Sequence, residues 1–123
     1  MVSHEKLYDA FGELIYAVAK ADGEVQEVEI TALNNLTKNF AGKYNIDFSF
    51  NYNLSKNKSV ETAFKDAVQV CKANGPDPEY TLLLNIMVEV AKAFMGIVPN
   101  EKIILDNFVD ELRTKFINEM TNN

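Results

Sequence analysis

The chain has no tryptophan, one cysteine, one histidine, three prolines and five glycines. Each scarcity excludes something. A single cysteine, Cys71, forms no intramolecular disulfide, which fits a reducing compartment. A single histidine, His4, close to the N-terminus, leaves no acid–histidine–nucleophile order in the sequence. The scattered glycines read as turns and build no phosphate-cradling loop. Long apolar runs are missing as well. The longest, Tyr80 to Val88, is interrupted by Asn85 and closed by Glu79 and Glu89, well short of the roughly 18 residues a membrane span needs. Met1 to Lys6 carries no signal-peptide pattern. Lysine and arginine do not cluster; the nearest approach, Lys56 with Lys58, is diluted by asparagine and serine. With a net charge of −6, the chain repels a phosphate backbone or an anionic lipid sheet on average. These absences describe a cytoplasmic protein that binds no nucleic acid and inserts into no membrane.

What the chain does have is apolar material. Of its 123 residues 47% are hydrophobic, with eight phenylalanines and five tyrosines, enough for one domain with its own core and no disulfide or metal staple. The patterning is helical. Leu7, Phe11, Leu14, Ile15 and Val18 recur at spacings of three and four and predict a first helix over about 3–21, capped by Ser3 and closed by Gly23. A second helix over about 27–40 carries Val28, Ala32, Leu36 and Phe40 on one stripe, widened by Ile30 and Leu33. Its start reads as half a capping box, Gln26 at the cap and Glu29 three residues on. A third helix, 60–73, follows Ser59 and ends at Asn74-Gly75-Pro76. A fourth, opened by Asp77-Pro78, runs to about Met95 and is apolar nearly all round, which predicts a central position. A fifth runs from Pro99 to about Met120, with Leu105, Phe108, Leu112 and Phe116 inward.

Residues 41–59 break this period. Ile46, Phe48, Phe50, Tyr52 and Leu54 alternate with polar residues, the period of a strand. Two readings follow: an extended loop laying its aromatics on the bundle, or an exposed edge that pairs with a partner chain.

Shifted by 72 positions, the two ends of the chain align without a gap. Val18-Ala19-Lys20-Ala21 falls on Val90-Ala91-Lys92-Ala93, Tyr8 on Tyr80, Glu29 on Glu101 and Leu33 on Leu105. The expected architecture is one all-α domain over 1–123, a bundle of about five helices built from two pseudo-symmetric hairpins, 3–40 and 77–120, joined by 41–75.

The chemically loaded stretch is Asp22-Gly23-Glu24-Val25-Gln26-Glu27-Val28-Glu29, four carboxylates with no cation among them. Asp22 stands at the C-terminal end of the first helix, where the helix dipole disfavours an acid. Three roles are open to it: an Asx turn, a cap for the second helix, or a cation ligand together with Glu24, Glu27 or Glu29. The spacing is not that of an EF-hand loop. Asp106 and Asp110, one turn apart on the fifth helix, read as a solvated face, and Cys71 as a small core residue.

Helix-Ala21-Asp22-Gly23-x-Val25-x-x-x-Glu29-helix resembles the repeated signature of the TerB-like family, which includes tellurite-resistance TerB proteins and a domain attached to some J-domain proteins. The resemblance covers the first two helices well and the last two more loosely. It implies an all-α fold with two similar halves and a divalent cation (Ca, Mg or Zn) held by hairpin acids. Asp22, Gly23 and Glu29 match the pattern, and Glu101 matches it in the second copy. Phe94 and Met95 stand where the second Asp and Gly belong, so the first hairpin carries most of any such site. The function implied is a non-enzymatic adaptor or sensor in a stress-response or envelope-associated complex, with a protein partner. The alternative is a pure interaction or homodimerisation module whose acids are structural.

Overall fold

The computed structural model describes residues 2–21, 23–93 and 96–121, the side chains of 116–121 excepted. Asp22, Phe94 and Met95, and the side chains of Phe116 and Met120, therefore lie outside the described residues. Among the described residues six helices follow one another: α1 (His4–Lys20), α2 (Glu27–Leu36), α3 (Lys43–Lys56), α4 (Val60–Asn74), α5 (Glu79–Lys92) and α6 (Pro99–Thr121). Among the described residues there is no strand.

The start signals act as the sequence predicts. Ser3 Oγ accepts from Lys6 N at 3.2 Å, Ser59 Oγ from Thr62 N at 3.2 Å, and Asp77 Oδ1 from Glu79 N at 2.9 Å, each satisfying an amide that the first helical turn leaves open. Gly23 has φ 117° and Gly96 φ 81°, a left-handed backbone that a side chain disfavours, so each turn takes glycine.

The central helix is α1, not the apolar fourth helix of the sequence reading. It packs against α3, α4, α5 and α6, and Leu7, Phe11, Leu14, Ile15 and Val18 are all buried. Each such side chain contributes about 1.5–3 kcal/mol of burial. The helix in question is α5. It packs against α1, α2 and α6, burying Leu83, Ile86, Met87, Val90 and Ala91, and leaves Leu82 exposed.

Two boundaries differ from expectation. α2 stops at Leu36 rather than Phe40. Thr37 is buried; its amide and its hydroxyl both close on the Leu33 carbonyl, at 3.0 and 2.8 Å, as the last helical bonds, and its backbone (φ −95°, ψ 0°) leaves the helical region there. Phe40 then folds back edge-on to Tyr8 at 5.3 Å. The buried face of α2 is Glu29 and Leu33, while Val28 and Leu36 are exposed. The second difference is larger. Residues 43–56 are neither loop nor strand but the helix α3, so the five expected helices become six. Residues two apart on a helix point to opposite sides. The alternation therefore splits into two stripes of spacing four. Ile46 and Phe50 turn inward with Ser49 and Asn53. Tyr44, Phe48 and Tyr52 turn outward.

Candidate functional site

The structure separates the acids that the sequence groups together. Glu29 is fully buried, and its Oε1 accepts the Gln26 amide at 2.8 Å. Glu101 is 1% exposed and accepts the Val98 amide at 3.1 Å, the same bond 72 positions along the chain. Both satisfy amides at helix starts, where the dipole also favours a negative charge. Glu24 and Glu27 are exposed. Asp22 lies outside the described residues. Among the described residues, no three Asp, Glu, His or Cys side chains come together as a group able to hold a metal ion. Replacing Glu29 with alanine strips a part-buried amide of its acceptor and is expected to cost about 1–2 kcal/mol. A thermal scan with and without chelator checks this; a capping role predicts the same loss in both.

The other built feature is the outer side of α3. Tyr44, Phe48 and Tyr52 are 77%, 59% and 53% exposed. Their rings stack in series, with centroids 6.3 and 6.4 Å apart and planes 17° from parallel. Lys56 continues the ladder, its Nζ 5.8 Å from the Tyr52 ring. On one flank, Lys43 bonds Asp47 at 2.6 Å, and a groove of about 520 Å³ runs between these two and the rings of Tyr44 and Phe48.

On the other flank a groove of about 330 Å³ separates Phe48 and Tyr52 from α1. Its walls carry Lys6, Asp9, Glu13 and Lys58. The polar groups there tie helices together. Ser49 Oγ donates to the Asp9 carbonyl at 2.6 Å and Asn45 Nδ2 to Asp9 Oδ1 at 3.3 Å, joining α3 to α1, while Asn53 Nδ2 donates to the Ser49 carbonyl at 2.7 Å within α3. Lys58, in the turn before α4, bonds Glu13 and reaches Asp66 at 3.0 Å, and its backbone carbonyl accepts the buried Tyr16 hydroxyl at 2.6 Å. Burial alone lowers the Lys58 ammonium, but its bonds to Glu13 and Asp66 outweigh this and raise it. Glu13 is also raised, because its desolvation outweighs the pull of Lys58.

Comparison with known protein families, curated proteins and solved structures returns no match for this chain.

Cys71 is fully buried, and burial pushes its thiol up to about 12. His4 is exposed, its ring 5.9 Å from that of Tyr8. Asp106 bonds Lys102 at 2.8 Å on the exposed side of α6, and Asp110 is exposed beyond it. The outer face of α3 is the feature that period-two reading hid. The signal that finds it is the spacing of four in Tyr44, Phe48 and Tyr52, read as a helix stripe.

Proposed function

We propose that this chain is a non-enzymatic, TerB-like protein-interaction module, an adaptor in a stress-response or envelope-associated complex, whose contact face is the outer side of α3. One observation carries the reading: three aromatic rings stacked in a row on the surface of a helix whose other side is already in the core. Isolated exposed apolar residues are ordinary, whereas the largest contiguous apolar patch of a monomer, about 300–600 Å², is often functional. Aromatic residues are also the ones interfaces favour, since they bring large contact area with few torsions to freeze. Two pseudo-symmetric halves are supported by the paired Gln26–Glu29 and Val98–Glu101 capping bonds, which keep the 72-residue register, and by the positive-φ glycines at 23 and 96, which match with a slip of one residue. The burial of Glu29 and Glu101 in those bonds favours structural acids over ligands.

The test is a pull-down with the wild type and Phe48→Glu. Phe48 faces solvent, so the variant is expected to fold with an unchanged circular dichroism spectrum and thermal midpoint. Partners retained by the wild type and lost by the variant support the face. The same partners on both would overturn it.

A cation at the first hairpin is the second reading. It is favoured by Glu24 and Glu27, which are exposed within one turn and make no ion pair among the described residues. A ligand at a hundred times its Kd adds about 2.7 kcal/mol to the folded state. A midpoint raised by Ca²⁺, Mg²⁺ or Zn²⁺ in the wild type but not in Asp22→Asn supports a hairpin site. No rise with any of them removes it.

A further inference from the structure

The aromatic stripe on α3 reads the same in both directions. Phe48 stands at its centre, with a tyrosine four residues before it and another four residues after it. We propose that the occupant of this face is a second copy of this chain, packed antiparallel across a two-fold axis beside Phe48; the inference rests on the reading of α3 as the contact face. In that arrangement Phe48 meets the partner's Phe48, and Tyr44 meets the partner's Tyr52.

Three observations support this occupant. The first is symmetry. An isologous contact must complement itself, and a stripe symmetric about its midpoint does so along its whole length. The second is charge. Two chains of net charge −6 repel, so self-association needs a face free of excess acid. The side chains bordering the stripe are four lysines (6, 43, 56 and 58) and three acids (Asp9, Glu13 and Asp47), and Asp66, which Lys58 also reaches, brings the local sum to zero. Asp47 is already paired with Lys43, and Glu13 with Lys58. Contact here leaves the excess negative charge on the far sides of both copies.

The third is area. At their exposed fractions the three rings offer roughly 400 Å² per copy. A stable interface takes about 800 Å² per partner, so the rings alone reach about half of it. Ala41, Asn45, Asn51 and Ser55 flank them, short enough for the helix axes to approach to about 8–10 Å. The grooves on either side of Phe48 are open to receive the rings of the opposing stripe. An interface below the standard size fits a dimer in the micromolar range.

The test combines sedimentation equilibrium, from about 1 to 300 µM, with disulfide trapping in diamide. The wild type is expected to pass from monomer to dimer across this range, and Phe48→Glu, which faces two carboxylates at the axis, to weaken association about 30-fold or more. Phe48→Cys is expected to cross-link through a disulfide on the axis. Tyr44→Cys is expected not to, because the two copies of residue 44 stand roughly 12 Å apart along the helices, beyond disulfide reach. Buried Cys71 does not compete for the oxidant. A strict monomer overturns self-association. It leaves the contact face standing if Phe48→Glu still loses a bound partner protein. A dimer that Phe48→Glu does not disturb overturns self-association through α3; the contact face then falls only if Phe48→Glu also retains every partner of the wild type. Cross-linking of Tyr44→Cys as fast as Phe48→Cys overturns the antiparallel register.

Discussion

Gly12→Ala is expected to destabilise the protein by about 3 kcal/mol, against the direction that helix propensity predicts. At an exposed position in mid-helix, alanine in place of glycine stabilises by roughly 1 kcal/mol, because it restricts the unfolded chain. Gly12 is buried in α1, where α3 crosses it. A Cβ built there would stand 2.3 Å from the Ile46 carbonyl oxygen and 2.9 Å from the Ser49 Cβ. The first neighbour is backbone, so it yields only if α3 moves as a body. Ser49 is held in place by its bond to the Asp9 carbonyl, which resists that movement. Overpacking of this kind costs about 1–3 kcal/mol and more where the backbone must shift. For a chain of this length the midpoint should fall by about 10 °C or more. Chemical denaturation of wild type and variant gives the answer directly. A higher midpoint in the variant would mean that α1 and α3 do not approach this closely.

The second large effect is expected in alkali. Burial pushes the Cys71 thiol up to about 12 from an ordinary 9.0, with Asp77 adding to it. Burial also pushes the Tyr80 hydroxyl up to about 12 from 10.0, against the bond from Asn74 and helped by Cys71 and Asp77. The two lie together: the Tyr80 oxygen is 2.9 Å from the Cys71 carbonyl and 2.6 Å from that of Gly75. Tyr8 and Tyr16 move the same way, chiefly by burial. In every case the folded state holds the proton more tightly than the unfolded chain does. The stability this supplies is complete below pH 9, falls as the unfolded thiol and then the unfolded phenols ionise, and is gone near pH 12. The thiol alone accounts for on the order of 4 kcal/mol of that fall. Denaturation midpoints between pH 7 and 12 should be flat to about 9 and steep beyond. Cys71→Ala should move the onset toward pH 10. A wild-type profile flat to pH 11 would show that these groups are hydrated in the folded protein.

The candidate site was partly legible. The capping role of Glu29 follows from local spacing, since a carboxylate three residues after the cap residue needs only one turn of helix to reach back. The outer stripe of α3 was in view as residues but assigned to the wrong period. In a short segment rich in asparagine, serine and aromatics, propensity does not arbitrate between strand and helix. What arbitrates is a face to pack against. Ile46 and Phe50 find it on α1, beside Gly12 and the ring of Tyr16, and the helical spacing that serves them sends Tyr44, Phe48 and Tyr52 to the outside.

By itself, then, the sequence determined the all-helical class, the apolar stripe of α1, the helix starts at Ser3, Ser59 and Asp77 and the glycine turns. These are set by contacts within a turn or two of the chain, and neighbours in sequence suffice to form them. Tertiary structure alone decided which helix is central, where α2 ends, that residues 43–56 are a helix, and that its aromatic side faces solvent. Those outcomes depend on which surfaces meet across the bundle, and the energy of such contacts is carried by partners distant in the chain, as Tyr8 is from the Glu79 carboxylate, 71 residues on, that it bonds at 3.0 Å.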